Sequence, residues 1–121
     1  MKIFILEDDQ ARQAWFWNRF KDHDVTLIDS CTKIDKYDGP YELICLDHDL
    51  GGRQLEEHED CGLEFVRLMK DRFVDALVIL HSYDPNGADN MRAEHPMAVI
   101  APFGGSLFRG LIAALLKDGK R

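Results

Sequence analysis

Short apolar runs recur along this chain, and most of them stop abruptly at charged or turn-forming residues. Lys2-Ile3-Phe4-Ile5-Leu6 ends in Glu7-Asp8-Asp9, and a second run covers Asp24 to Ile28. Residues 41–46 end in Asp47-His48-Asp49-Leu50-Gly51-Gly52, Ala76–Leu80 ends in His81-Ser82, and Met97–Ile100 closes at Pro102. Apolar runs of this length, bounded by turn signals, predict strands buried on both faces. Between them the spacing turns helical. Residues 10–21 carry Ala11, Ala14 and Trp15 behind Asp9 as N-cap, and 61–72 place Phe65, Val66, Met69 and Phe73 along one side. The last stretch aligns Leu107, Phe108, Leu111, Ile112, Leu115 and Leu116 in two i+4 rows behind Ser106 as cap. Weaker helical signals cover about 29–37 and 88–94. Asp38-Gly39-Pro40 and Tyr83-Asp84-Pro85-Asn86-Gly87 read as turns, and residues 51–60 as a polar loop whose length suggests function.

Five strands and up to five helices in alternation predict an α/β fold with a doubly wound parallel sheet, helices covering both faces. With 121 residues and no linker or repeat, residues 1–121 are expected to form one domain. Trp15-Phe16-Trp17 followed by Phe20 is more aromatic surface than one buried stripe accommodates, so at least one ring is expected at the rim.

Charge narrows the function. The net charge of −7 disfavours binding to nucleic-acid backbone, yet a small anion remains compatible through a metal or a helix terminus. Cys31, Cys45 and Cys61 form no Cys-x-x-Cys pair, and Cys45 lies inside an apolar run, which favours reduced thiols. Neither a signal peptide nor a membrane span is apparent, so a cytoplasmic protein without membrane association is expected.

In open parallel sheets, ligands bind beyond the carboxyl ends of the strands. Three of the five strand ends carry reactive groups: Glu7-Asp8-Asp9, Asp47-His48-Asp49 and His81-Ser82. Glu7, Asp8 and Asp47 converging at one edge would repel unless protonated or metal-bound, which predicts a divalent cation. Oxygen ligands suit Mg²⁺ or Mn²⁺, and also Ca²⁺; a contribution from His48 or His81 moves the preference toward Mn²⁺, Fe²⁺ or Zn²⁺. His58, in the polar loop among acidic residues, reads as solvated. Asn86 and Asn90 can donate amides to a phosphate or base, although a turn explains Asn86-Gly87 equally well. The N–H groups at Gly104-Gly105-Ser106 can cradle an anion, with helix capping the stronger reading.

The acidic pair after the first strand, the aspartate ending the third and Pro102 after the last resemble the receiver domain of two-component response regulators. That resemblance implies strand order 2-1-3-4-5. It makes Glu7 and Asp8 metal-binding acids and Asp47 the phosphoacceptor, with Asp49 lending a backbone carbonyl to the metal. Three positions depart from it. His81 stands where receivers carry threonine or serine, Ala101 where they carry the lysine that pairs with the phosphoryl group, and the 51–60 loop is longer. Leu46-Asp47-His48-Asp49-Leu50-Gly51-Gly52 and His81-Ser82-Tyr83-Asp84-Pro85-Asn86-Gly87-Ala88-Asp89-Asn90-Met91 resemble the cyclic-phosphate-processing receiver domains.

The reading that follows is metal-dependent hydrolysis of a cyclic phosphate or nucleotide phosphoester. Asp47, His48 and His81 are its catalytic candidates; Glu7, Asp8, Asp47 and Asp49 its metal ligands; Ser82, Asn86, Asn90 and Ser106 its substrate contacts. His81 can protonate the leaving sugar oxygen, and His48 can take a proton from water or ligate the metal. Asp47 can attack directly instead, and both routes stay open. Two alternatives stand beside this one: a signalling receiver phosphorylated on Asp47, which Ala101 disfavours, and a non-catalytic nucleotide- or protein-binding domain. A homodimer through the aromatic first helix or the final helix is a further possibility.

Overall fold

Side chains along a strand alternate between faces, and here that alternation divides the core in two. The computed structural model describes residues 1–30, 33, 36–47, 62–73 and 75–118. Its order is β1 (Lys2–Leu6), α1 (Gln10–Arg19), β2 (Asp24–Ile28), β3 (Leu43–Leu46), α2 (Gly62–Met69, continued by a 3₁₀ turn Lys70–Arg72), β4 (Leu77–Leu80), α3 (Pro85–Glu94), β5 (Val99–Ile100) and α4 (Ser106–Asp118). All neighbouring strands pair in parallel, in the order β2-β1-β3-β4-β5.

One face of the sheet, with Phe4, Leu6, Ile44, Leu46, Val78 and Leu80, packs on Phe65, Val66 and Met69 of α2 and Met91 of α3. The opposite face, with Ile3, Ile5, Leu43, Cys45 and Ile79, packs on Phe16 and Phe20 of α1 and Phe108 and Ile112 of α4. The central strands are buried almost throughout, while β2 and β5 form the half-exposed edges. Trp17 is the ring of the first helix that faces outward, 48% exposed, whereas Phe16 and Phe20 are fully buried. Among the described residues, no helix is long and apolar enough to cross a membrane.

Several boundaries differ from the sequence expectation. β3 starts at Leu43 instead of residue 41, and β5 at Val99 instead of Met97, whose side chain is 81% exposed. Pro85-Asn86-Gly87 is the first turn of α3, not a separate turn: the Asp84 carboxylate accepts hydrogen bonds from the N–H groups of Asn86 and Gly87. Proline at the first helical position gives up an N–H with no helical partner, so Asp-Pro opens a helix as readily as a loop. Ser106 is likewise the first residue of α4 and not the residue before it. The expected 29–37 helix falls partly, and the 51–60 loop wholly, outside the described residues. Cys31, Cys61 and His58 lie outside them too.

Candidate functional site

Register places Leu6 opposite Leu46, and Leu46 opposite Leu80. The next residue on each strand, Glu7, Asp47 and His81, therefore stands in one row across the sheet. Backbone hydrogen bonds fix that row: Asp47 N–H donates to the Leu6 carbonyl, His81 N–H to that of Leu46, and Ala101 N–H to that of Leu80, each at 3.0 Å. By alternation the three side chains share the face of Ile5, Cys45 and Ile79, under α1 and α4. One ligand atom from each of Glu7, Asp47 and His81 lies within 4.8 Å of the others.

Glu7 and His81 are both fully buried, and His81 Nε2 lies 2.9 Å from Glu7 Oε1. Burial opposes the charge on Glu7. The hydrogen bond to His81, the Asp9 N–H on Oε2 (3.0 Å) and the nearby Arg12 outweigh it and hold the carboxyl below its usual range. Burial also pulls the His81 imidazole below its ordinary value, against the pull of Glu7 in the other direction. A neutral ring facing a carboxylate carries its proton on Nε2. Nδ1 is then a bare lone pair, buried with no hydrogen-bond partner among the described residues. The rings of Phe16, Phe103 and Phe108 pack around the imidazole, their centroids 5.3, 6.2 and 6.2 Å from its own.

A cleft of about 230 Å³ opens above the row, lined among the described residues by Glu7, Asp8, Asp9, Arg12, Asp47, Ser82, Tyr83 and Asp84. Asp47 is nearly buried and Asp8 half-buried. Of the expected metal ligands, Glu7 and Asp47 come together with His81, while Asp8 lines the cleft outside that group. His81 is fully buried against Glu7 and is not among the described residues that line the cleft. Asp84 N–H donates to Ser82 Oγ, so this hydroxyl both shapes the turn and lines the cleft. Exposed Asn86, Asn90 and Ser106 do not line it: the first two lie on α3 and the third opens α4. His48, Asp49 and the glycine pair lie outside the described residues.

Two residues of the site have no counterpart in the sequence reading. Arg12 Nη1 lies 3.7 Å from Glu7 Oε1 and 3.9 Å from Asp47 Oδ2. Its position in the first turn of α1, where a cation opposes the helix dipole, is the local irregularity that could have marked it. Gly62, at the start of α2, passes so close to β3 that a Cβ there would lie 2.0 Å from the Asp47 carbonyl oxygen. A lone glycine opening a helix gives no such signal in sequence.

The carboxylates of Glu7 and Asp47 are oxygen donors of the kind Mg²⁺ or Mn²⁺ accepts, while the His81 Nε2–H is given to Glu7 and leaves the imidazole outside that donor set. Arg12 lies within ion-pair reach of both Glu7 and Asp47.

The family model of the cyclic-phosphate processing receiver domain matches residues 1–95. Among solved structures, the chain is similar to the BeF3-activated DrrB receiver domain of Thermotoga maritima, with a TM-score of 0.71, 15% identity, and 99% and 97% of the two chains covered. It is similar to the response regulator TrrA of Thermotoga maritima in complex with Mg²⁺-BeF, with a TM-score of 0.66, 18% identity, and 95% and 99% covered. The Mn²⁺-bound form of response regulator Rcp1 aligns with a TM-score of 0.59 and 15% identity over 93% and 86% of the chains. At these identities the likeness is one of fold. No curated protein matches the chain.

Proposed function

The chain belongs to the cyclic-phosphate processing receiver domains, and from that premise we propose that it hydrolyses a cyclic phosphate or related nucleotide phosphoester with a divalent cation at the Glu7/Asp47 edge. The observation that carries this reading is the buried Glu7–His81 pair beside Asp47 at the floor of an open cleft. Burying such charge is expensive without a use for it.

Glu7 and Asp47 would hold the cation; two neighbours of this fold are described in complex with Mg²⁺-BeF and in an Mn²⁺-bound form. When bound, the ion supplies positive charge against phosphoryl oxygens and lowers the pKa of a coordinated water. His81 donates Nε2–H to Glu7 and keeps that carboxylate ionised and oriented, so we assign it a positioning role. Asp47, on the cleft wall, would act either as a ligand or as the nucleophile. In the net reaction, water oxygen bonds to phosphorus and one ester bond to a sugar oxygen breaks. A proton from water ends on that oxygen, leaving a monoester and a free hydroxyl.

A second reading draws on the likeness to activated response regulators: Asp47 as an acceptor of phosphoryl groups. Ala101, buried at the end of β5 in the row of Asp47, places no cation there and counts against it.

Incubation with 2′,3′-cyclic nucleotides in Mg²⁺, Mn²⁺ or Zn²⁺ tests the first reading, with opening of the ring expected and its loss in Glu7→Gln. No turnover with any of the metals, together with acetyl phosphate labelling that disappears in Asp47→Asn, would replace it by the second.

A further inference from the structure

The cleft holds five carboxylates, from Glu7, Asp8, Asp9, Asp47 and Asp84, and a single guanidinium, from Arg12, among its described lining residues. Among the described lining residues, a phosphate approaching it meets five acids and one cation, Arg12, beside the uncharged Ser82 and Tyr83. Arg12 is built into the cleft wall with some care. Asp9 Oδ2 accepts the Arg12 N–H at 2.9 Å, which fixes the residue in the first turn of α1. Its guanidinium carbon lies 4.3 Å from the Tyr83 ring centroid and 5.3 Å from that of Phe103. Tyr83 donates its hydroxyl hydrogen to the Phe103 carbonyl at 2.7 Å, so the two rings form one bracket. Gly104, with φ of 79°, turns the chain directly after Phe103. The nitrogen that faces the carboxylates stands 3.7 and 3.9 Å from them, well beyond the about 2.7–2.9 Å of a charge-assisted hydrogen bond. At those distances neither acid saturates the five donors of the fork.

We propose that Arg12 is the anion-gripping residue of this cleft, its fork taking the two non-bridging oxygens of the phosphoester while Tyr83 and Phe103 hold its plane. The proposal rests on the phosphoester reading of the site and adds the group that admits the ligand into an acidic pocket. A planar fork matches paired phosphate oxygens, and lysine offers only a point charge. A divalent cation held by Glu7 and Asp47 would compete with Arg12 for the same carboxylates and leave the guanidinium for the anion. Removing Arg12 should then weaken the anion and not the metal.

Calorimetric titration of the whole chain separates these effects, using Mg²⁺ alone and then inorganic phosphate in saturating Mg²⁺. Arg12→Ala is expected to bind Mg²⁺ as tightly as the wild type or more tightly. It should lose at least about tenfold in phosphate affinity, the worth of one charge-assisted bond. Arg12→Lys should fall between the two, and Tyr83→Ala should weaken phosphate while leaving Mg²⁺ unchanged. If Arg12→Ala does not melt cooperatively, Arg12→Gln, which keeps most of the stem, takes its place. Phosphate affinity within twofold of wild type in the alanine or glutamine variant overturns the proposal, as does an equal loss of Mg²⁺ and phosphate, which marks a merely structural counter-ion. Because inorganic phosphate is not turned over, these outcomes stand whether or not the wild type opens a cyclic nucleotide.

Discussion

At the residue scale, Gly62 and His81 set where the two acids of the site stand. Gly62 leaves no room for a methyl group, since a Cβ would sit 2.0 Å from the Asp47 carbonyl oxygen and 2.9 Å from Met91 Sδ. Backbone cannot yield as a flexible side chain does, so Gly62→Ala should destabilise by about 1–3 kcal/mol in urea unfolding, and an unchanged midpoint would deny the close approach. His81 gives a pH signature. Its folded value is depressed, so below about pH 6.5 the unfolded chain takes up a proton that the buried ring refuses, and stability falls as pH drops. Glu7 acts in the same direction lower down. Its folded value is also depressed, so its contribution is present above about pH 4.5 and is lost on further acidification. The urea midpoint of metal-free protein should therefore decline from pH 7 to 4. His81→Gln, which can still donate to Glu7, should remove the decline between about pH 6.5 and 5. A slope unaltered by that substitution would show that His81 takes up its proton equally in the folded and unfolded chains. Arg12 shows why part of the site escaped the sequence: its role depends on where a helix turn sits relative to two strand ends, and no spacing along the chain encodes that.

At the scale of elements, Asp9 links local structure to the site. It caps α1 through the Arg12 N–H, and its own N–H donates to Glu7 Oε2. Asp9→Ala should lose the cap at a cost of about 1 kcal/mol in urea unfolding, and an unchanged midpoint would deny the cap. The strands were legible because three central runs are apolar on both faces, and their charged ends stood out for the same reason. What the runs could not give was register. Only the pairing of Leu6 with Leu46, and of Leu46 with Leu80, puts Glu7, Asp47 and His81 abreast. The start of α3 was misread because Asp84-Pro85-Asn86-Gly87 suits a turn and a capped helix equally. The inward aim of His81, behind Glu7 and among Phe16, Phe103 and Phe108, follows from packing that alternates with the sheet.

At the scale of the molecule, a receiver-type sheet positions a buried acid–imidazole pair under a strongly acidic cleft, in a chain of net charge −7. A cation that binds the folded chain and not the unfolded one raises stability with concentration, by about 2.7 kcal/mol at a hundred times its Kd. Mg²⁺ or Mn²⁺ should therefore raise the Tm of the wild type and leave that of Asp47→Asn almost unmoved; equal shifts in both would place the ion elsewhere. The most direct test of the central claim is phosphorus NMR of 2′,3′-cyclic AMP incubated with protein and Mn²⁺. The account predicts conversion to a ring-opened monoester, slowed at least about a hundredfold in Asp47→Asn. A cyclic phosphate resonance that persists unchanged with wild-type protein, or conversion that Asp47→Asn leaves at full rate, would contradict it.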